Sequence, residues 1–132
     1  MDRRTGQLVL GVTGGIAAYK AAELLRMLQK RSFDVRVVMT RNACEFIGVQ
    51  TFAALSANPV ITEMFGAHAK EPIGHISLAE WADAVIVAPA TANIIGKFTY
   101  GIADDFLSTF LLAFQGPVLI APAMNPKMYA SP

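Results

Sequence analysis

The first third of the chain alternates between apolar runs and one amphipathic stretch, and this order constrains the fold more than any other feature. Leu8 to Val12 is a short apolar run that Thr13-Gly14-Gly15 ends, and Asp34 to Met39 is a second run, rich in valine. Between them the apolar residues recur at i, i+4, i+7 and i+11, namely Ala17, Ala21, Leu24 and Leu28. This spacing predicts a helix with one apolar face between two strands. Such a βαβ unit makes the two strands parallel, with a right-handed crossover.

Two later apolar runs predict two more strands of the same sheet. Ala84 to Ala88 is the first of these runs, and Val118 to Ala121 is the second. Asp104 or Asp105 can cap a helix between them. The apolar residues of that helix follow the i, i+3, i+4, i+7 pattern, namely Leu107, Phe110, Leu111 and Phe114. The sequence therefore predicts an α/β fold with a doubly wound parallel sheet, which stands one strand short of five at Pro132.

The segment between the second and third strands is the least regular part of the chain. Ala43 to Ala57 is predicted to be a helix that is interrupted near Gly48. Val60 to Ser77 has poor periodicity and several glycine and proline residues, so we predict a long loop that contains His68 and His75. A short helical stretch that contains Trp81 is predicted between this loop and the third strand. Loops of this length in compact domains are often functional.

Composition restricts the class of protein. Hydrophobic residues make up 54% of the 132 residues and the net charge is +1, which suits one domain that buries some of its apolar surface between subunits. The basic residues are scattered and no apolar segment is long enough to span a bilayer, so neither nucleic acid nor a membrane is an expected partner. Cys44 is the only cysteine, lies on an apolar helix face and is expected to be an inert thiol. We expect a cytoplasmic protein without a metal site.

Glycine, hydroxyl or amide groups follow each of the four predicted strands. They are Thr13-Gly14-Gly15, Thr40-Arg41-Asn42, Thr91-Ala92-Asn93 and, after the last strand, Asn125. The carboxyl ends of parallel strands meet at one edge of the sheet, where open α/β sheets bind their ligands. Any one of these groups is more often a helix cap. Their convergence on one edge favours a single binding site.

The glycine turn and one histidine are the candidate chemical groups. Gly14-Gly15 could bring backbone N–H groups to an anion at a helix N-terminus, although a tight turn without a ligand explains it equally well. The turn lacks the G-x-G-x-x-G pattern, and Lys20 is not a Walker lysine because Tyr19 precedes it. His75 could exchange protons near neutral pH, while a surface or structural role is the commoner one for such a histidine. These residues predict an anion-binding domain with a candidate base, and they leave the reaction open.

At these same residues the chain resembles the flavin-containing cysteine decarboxylase family, and within it the phosphopantothenoylcysteine decarboxylases. The matching segments follow the family's order along nearly the whole chain: residues 11–20, Gly74-His75-Ile76, Trp81-Ala82-Asp83, Pro89-Ala90-Thr91-Ala92-Asn93 and residues 122–128. The last segment is similar to the family's P-x-M-N-x-x-M-W signature, with Tyr129 in place of the tryptophan.

The resemblance implies a flavodoxin-like, Rossmann-like fold with three α/β/α layers. It implies an FMN cofactor and homotrimers or homododecamers with FMN at the subunit contacts. The implied FMN contacts are Gly14, Gly15, Ile16 and Thr40 on the phosphate and ribityl side, and Thr91, Ala92, Asn93 and Ala123 along the flavin. The implied substrate residues are His75 as catalytic base, Asn125 on the substrate carboxylate, and Met124 and Met128 beside it.

The implied reaction is FMN-dependent decarboxylation of 4'-phosphopantothenoylcysteine to 4'-phosphopantetheine in coenzyme A biosynthesis. In this family the cofactor oxidises the thiol side to a thioaldehyde, which is an electron sink for the loss of CO2. Relatives that release a saturated product use a flap cysteine after the fifth strand, which Cys44 does not match. We therefore expect residues 1–132 to be one FMN-binding domain, the N-terminal part of a longer chain that is truncated here before the last strand. The alternative is a protein that performs only the oxidative half of the reaction.

Three alternatives belong to other functional classes. A flavin prenyltransferase and a non-catalytic flavoprotein that regulates a phosphatase share the implied fold, and the presence of His75 and Asn125 argues against both. A flavodoxin-like electron carrier would be expected to have a strongly acidic surface, whereas this chain is near neutral.

Overall fold

A four-stranded sheet forms the centre of the molecule. A computed structural model describes residues 6–62, 74–123 and 126–130. The strands are β1 (Gln7–Val12), β2 (Asp34–Met39), β3 (Ala84–Ala90) and β4 (Val118–Pro122). They pair in the order β2-β1-β3-β4, and every pair is parallel. Strand order reverses between β1 and β3, which confirms the predicted doubly wound α/β sheet.

Helices cover both faces of this sheet. They are α1 (Lys20–Lys30), α2 (Val49–Ser56), α3 (His75–Trp81), α4 (Ala92–Tyr100), α5 (Phe106–Ala113) and α6 (Pro126–Tyr129). Short 3-10 turns, Ile16–Tyr19 and Asn42–Glu45, precede α1 and α2. Gly48 is extended and begins α2, so the predicted interruption of the second helical segment is confirmed. Within the described ranges, no helix has the length and apolar character needed to cross a membrane.

Two apolar cores lie on opposite faces of the sheet. One contains Leu10 of β1 with Leu25 of α1 and Phe52 of α2, all fully buried. The other contains Val9 of β1 with helices α3, α4 and α5. Neighbouring residues of a strand point to opposite faces, so a strand buried on both sides is a continuous apolar run. The arrangement confirms the three α/β/α layers and the flavodoxin-like class.

Residues 75–77 depart from the predicted loop, because His75 begins α3. The extended Gly74 precedes the helix, and the Leu78 N–H donates to the Gly74 carbonyl at 3.0 Å. Leu78 is fully buried against the second core. The predicted helical stretch around Trp81 is confirmed, but its start is wrong, because a helix of 7 residues is too short to show apolar periodicity. The part of the predicted loop that contains His68 lies outside the described residues.

Helix α4 is absent from the sequence-based prediction. It begins at Thr91, whose hydroxyl accepts a hydrogen bond from the Ile94 N–H at 3.4 Å, and it ends at Gly101, which has a φ of 70°. Glycine tolerates that left-handed conformation without steric cost. The helix contains Gly96 and β-branched residues, which are weak helix formers, so its pattern is faint.

Candidate functional site

A cleft of about 240 Å³ opens at the carboxyl edge of the sheet, at the point where strand order reverses. Three turns line it. They contribute Thr13 and Gly14 after β1, Thr40 to Asn42 after β2, and Thr91 and Asn93 after β3. The structure thus brings Gly14, Thr40, Thr91 and Asn93, which are four of the predicted binding residues, to one place.

Gly14 lets the turn after β1 lie close to the turn after β2. A Cβ atom on Gly14 would lie 2.4 Å from the Cβ of Asn42 and 2.9 Å from the Asn42 backbone carbonyl carbon. Only glycine allows the turn after β1 to pack this tightly against the turn after β2. In the described part of the chain, the N–H groups of Gly14, Gly15 and Ile16 have no hydrogen-bond acceptor. They are therefore free to bind an anion at the start of the helical segment.

Thr13 connects the turns after β1 and β3. Its side chain is only 2% exposed. The Thr13 hydroxyl donates a hydrogen bond to the Pro89 carbonyl and accepts one from the Thr91 N–H at 3.1 Å. The sequence does not single out this role, because a threonine after an apolar strand is equally consistent with an ordinary cap.

The hydroxyls of Thr40 and Thr91 both cap helical segments. Thr40 Oγ1 accepts from the Ala43 N–H at 3.2 Å, and Thr91 Oγ1 accepts from the Ile94 N–H. This is the commoner role that such residues have. Each hydroxyl keeps its own O–H, which can still donate to a ligand in the cleft.

Lys97 also lines the cleft, and the sequence did not predict it. Its side chain is 18% exposed, and its Nζ lies 2.8 Å from Asp104 Oδ1 and 3.8 Å from Asp105 Oδ2. Asp105 also begins α5 in a capping box with Ser108, whose N–H donates to Asp105 Oδ1 at 2.8 Å. The hydrogen bond from Lys97 lowers the pKa of the Asp104 carboxyl. The pair joins α4 to the start of α5.

We expect Lys97→Met to raise the pKa of the Asp104 carboxyl towards its ordinary value, because the hydrogen bond and the positive charge that favour the carboxylate are both lost. NMR titration of the Asp104 carboxyl measures this change. A lowered pKa stabilises the fold above the carboxyl's ordinary range, and this stabilisation is lost as the pH falls through the folded-state pKa. The difference in unfolding free energy between the two proteins should therefore shrink in acid.

Lys30→Met is the matched control, because Lys30 is exposed in the last turn of α1. It should leave the Asp104 titration unchanged. An Asp104 pKa that stays the same in Lys97→Met would show that the lysine does not bind this carboxylate in solution.

The remaining predicted flavin contacts lie around the cleft or beside it. The Ala123 N–H donates to the Ala90 carbonyl at 3.1 Å, yet Ala123 lines a second cavity of about 260 Å³ together with Ala17 and Pro89. This second cavity is mostly apolar. Ala92 is half-buried in the first turn of α4, and Ile16 is 80% exposed.

His75 lies near the cleft but does not line it. Its half-buried ring meets Phe106 edge-on, with the ring centroids 6.2 Å apart. Phe106 directly follows Asp105, which lines the cleft, so one aromatic contact separates the imidazole from the cleft wall. Met128 is 54% exposed in α6. Met124 and Asn125 lie outside the described residues.

The chemistry of these groups suits a phosphorylated ligand with hydroxyl groups. Backbone N–H groups at a glycine turn bind phosphate, and threonine hydroxyls and an amide bind a polyol. The neighbouring apolar cavity suits a ring system. Among the residues that the structure describes, no cluster of three or more histidine, cysteine, aspartate or glutamate side chains could hold a metal ion. Cys44 is half-buried against the core beneath α1 and α2.

Known proteins are similar to this chain in sequence and in fold. The family model described as Flavoprotein matches residues 1–132. The coenzyme A biosynthesis bifunctional protein CoaBC of Haemophilus influenzae is 50% identical over 122 residues, which cover 92% of this chain and 30% of that protein. The chain thus spans about 30% of the length of the curated relatives that it matches.

Solved structures give the same relationship. The FMN-dependent cysteine decarboxylase SpaF is similar with a TM-score of 0.88 and 32% identity, over 96% of this chain and 73% of that one. A PPC decarboxylase mutant complexed with pantothenoylaminoethenethiol is similar with a TM-score of 0.78 and 28% identity, over 98% of this chain and 72% of that one. The chain therefore belongs to the flavoprotein family, in the group that contains the flavin-dependent cysteine decarboxylases.

Proposed function

We propose that this chain binds FMN and decarboxylates 4'-phosphopantothenoylcysteine to 4'-phosphopantetheine, as a carboxy-lyase of coenzyme A biosynthesis. The observation that carries the proposal is the meeting of three distant turns at one cleft, where Gly14, Thr40 and Asn93 present phosphate-binding and polyol-binding groups. The relatives support the chemistry, because they are named as cysteine decarboxylases, a PPC decarboxylase and a coenzyme A biosynthesis protein.

The two cavities fit the two ends of FMN. The free N–H groups of Gly14, Gly15 and Ile16, together with the Thr40 hydroxyl, would hold its phosphate and ribityl chain. Thr91, Ala92, Asn93 and Ala123 would lie along its ring system, beside the apolar cavity. When bound, FMN supplies a two-electron acceptor that allows the cysteine thiol to become a thioaldehyde, through which CO2 can leave.

The substrate residues have separate tasks in this proposal. His75 would accept the proton whose loss permits oxidation of the substrate. Asn125 would orient the carboxylate through its amide, with Met124 and Met128 packed beside it. The support for Asn125 and Met124 is the Pro122 to Met128 signature in the sequence.

We further propose a homotrimer or homododecamer with FMN at the subunit contacts. Three large apolar side chains are exposed within two residues of positions that line the second cavity: Ile16 at 80%, Tyr19 at 56% and Leu119 at 63%. Exposed apolar groups of this kind mark interaction surfaces. A cytoplasmic setting fits the single cysteine.

The purified protein tests the proposal directly. We expect it to bind FMN, to be yellow, and to release labelled CO2 from carboxyl-labelled 4'-phosphopantothenoylcysteine, as measured by mass spectrometry. Identifying the organic product shows whether the reaction ends at the enethiol, or whether the enethiol is then reduced by two electrons to 4'-phosphopantetheine. Failure to bind FMN would overturn the proposal as a whole. FMN binding without CO2 release would indicate a non-catalytic flavoprotein instead.

A further inference from the structure

We infer that Thr13 is a positioning residue. Its buried hydroxyl holds the turn after β1 and the turn after β3 at the distance from each other that cofactor binding requires. The identity of the cofactor in this inference rests on the proposed function. The hydrogen bonds themselves belong to the protein and can be measured without any ligand.

Regular pairing between β1 and β3 ends before the two turns begin. Pairing between β1 and β3 runs from Leu8 with Ala84 to Gly11 with Val87. Pro89 has no N–H group, so the ladder of hydrogen bonds cannot continue through it in the ordinary way. Beyond the last pair, Thr13 makes the next connections. Its N–H donates to the Pro89 carbonyl at 3.4 Å, and its hydroxyl donates to the same carbonyl and accepts from the Thr91 N–H at 3.1 Å, so only the hydroxyl connects to Thr91.

This connection lies directly behind the ligand-facing groups. Thr13 immediately precedes Gly14, and Thr91 immediately precedes the first turn of α4. The two turns are neighbours there, since a Cβ on Gly15 would lie in ordinary van der Waals contact with Thr91 Cγ2, at 3.9 Å. A shift of Thr91 relative to Thr13 would therefore separate the phosphate-binding turn from the residues proposed to line the flavin.

The hydroxyl of Thr13 positions other groups and is not itself a ligand contact. A hydroxyl has one hydrogen to donate, and the Thr13 hydrogen is already donated to the Pro89 carbonyl. The side chain is only 2% exposed, so it has little access to a molecule in the cleft.

Thr13→Val tests the inference, because valine keeps the shape and removes the hydroxyl. In the protein without FMN, we expect the Thr91 amide to lose about tenfold in protection from hydrogen exchange, measured by NMR. We expect the dissociation constant for FMN to rise about tenfold, measured by flavin fluorescence. Thr13→Ser restores the hydroxyl and should restore both values. Should the valine variant fail to fold, Thr13→Ala removes the same hydroxyl and leaves a smaller side chain.

Thr99→Val is the matched control, because Thr99 donates to the Ile95 carbonyl at 2.8 Å on an exposed turn of α4. It should change neither value. Unaltered Thr91 protection in the hydroxyl-free variants, or no recovery in Thr13→Ser, would overturn the inference. Lost Thr91 protection with unchanged FMN affinity would overturn the coupling to the cleft. Failure of the unaltered protein to bind FMN would contradict the proposed function instead, and the exchange result would still decide the role of the hydroxyl.

Discussion

Gly14→Ala is expected to weaken FMN binding by about 10- to 100-fold. The added Cβ would lie 2.4 Å from Asn42 Cβ and 2.9 Å from the Asn42 carbonyl carbon, and backbone cannot move aside as a flexible side chain can. Overpacking of this kind costs about 1–3 kcal/mol, and each 1.4 kcal/mol of lost binding is about tenfold in affinity. The turn must open to accept the methyl group, which moves its free N–H groups away from the phosphate. Titration with FMN, followed by flavin fluorescence, measures the effect.

Gly96→Ala provides the control for this substitution. Among the described residues, and apart from the backbone of its own helix, no atom lies within 4 Å of a Cβ built on Gly96, which is inside α4. We expect unchanged FMN affinity and a gain in stability of about 0.5–1 kcal/mol, because alanine is the better helix former. If Gly14→Ala bound FMN as tightly as Gly96→Ala, the turn after β1 would not be the phosphate site.

The strands could be predicted from the sequence to within two residues at each end. Strand β1 is buried on both faces, so residues such as Val9 and Leu10 are apolar at successive positions and the run stands out. Strand β4 is equally apolar, although Leu119 is 63% exposed. The start of helix α3 could not be predicted, because the helix buries little more than Leu78 and has no repeat to detect. A continuous apolar run therefore predicts a strand, whereas a short helix that is held mainly by one buried side chain has no pattern that predicts where it begins.

The cleft could be predicted only in outline. Parallel topology brings Gly14, Thr40 and Asn93 to one edge, and this follows from strand order alone. The contact between Lys97 and Asp104 depends on the turn at Gly101, which folds the chain back after α4. The sequence contains no pattern for such a contact, because nothing in it predicted α4.

His75→Asn is expected to reduce the rate of CO2 release by about 10²- to 10⁴-fold, the usual contribution of a general acid or base. An amide cannot accept a proton in the working pH range, whereas an imidazole can. FMN affinity should stay within about twofold, a change of under 1 kcal/mol, because His75 contacts Phe106 and does not line the cleft. Single-turnover release of labelled CO2 and FMN titration on the same preparation separate the two effects.

Ser77→Ala is the matched control on α3, because Ser77 is exposed two residues along the same helix. It should leave both CO2 release and FMN affinity unchanged. Added imidazole should restore part of the activity of His75→Asn, since a small base can diffuse into the space that the side chain leaves, whereas it cannot repair a displaced helix. Normal turnover in His75→Asn would show that His75 is not the catalytic base. Loss of turnover together with FMN binding would instead show that His75 supports the cleft through Phe106.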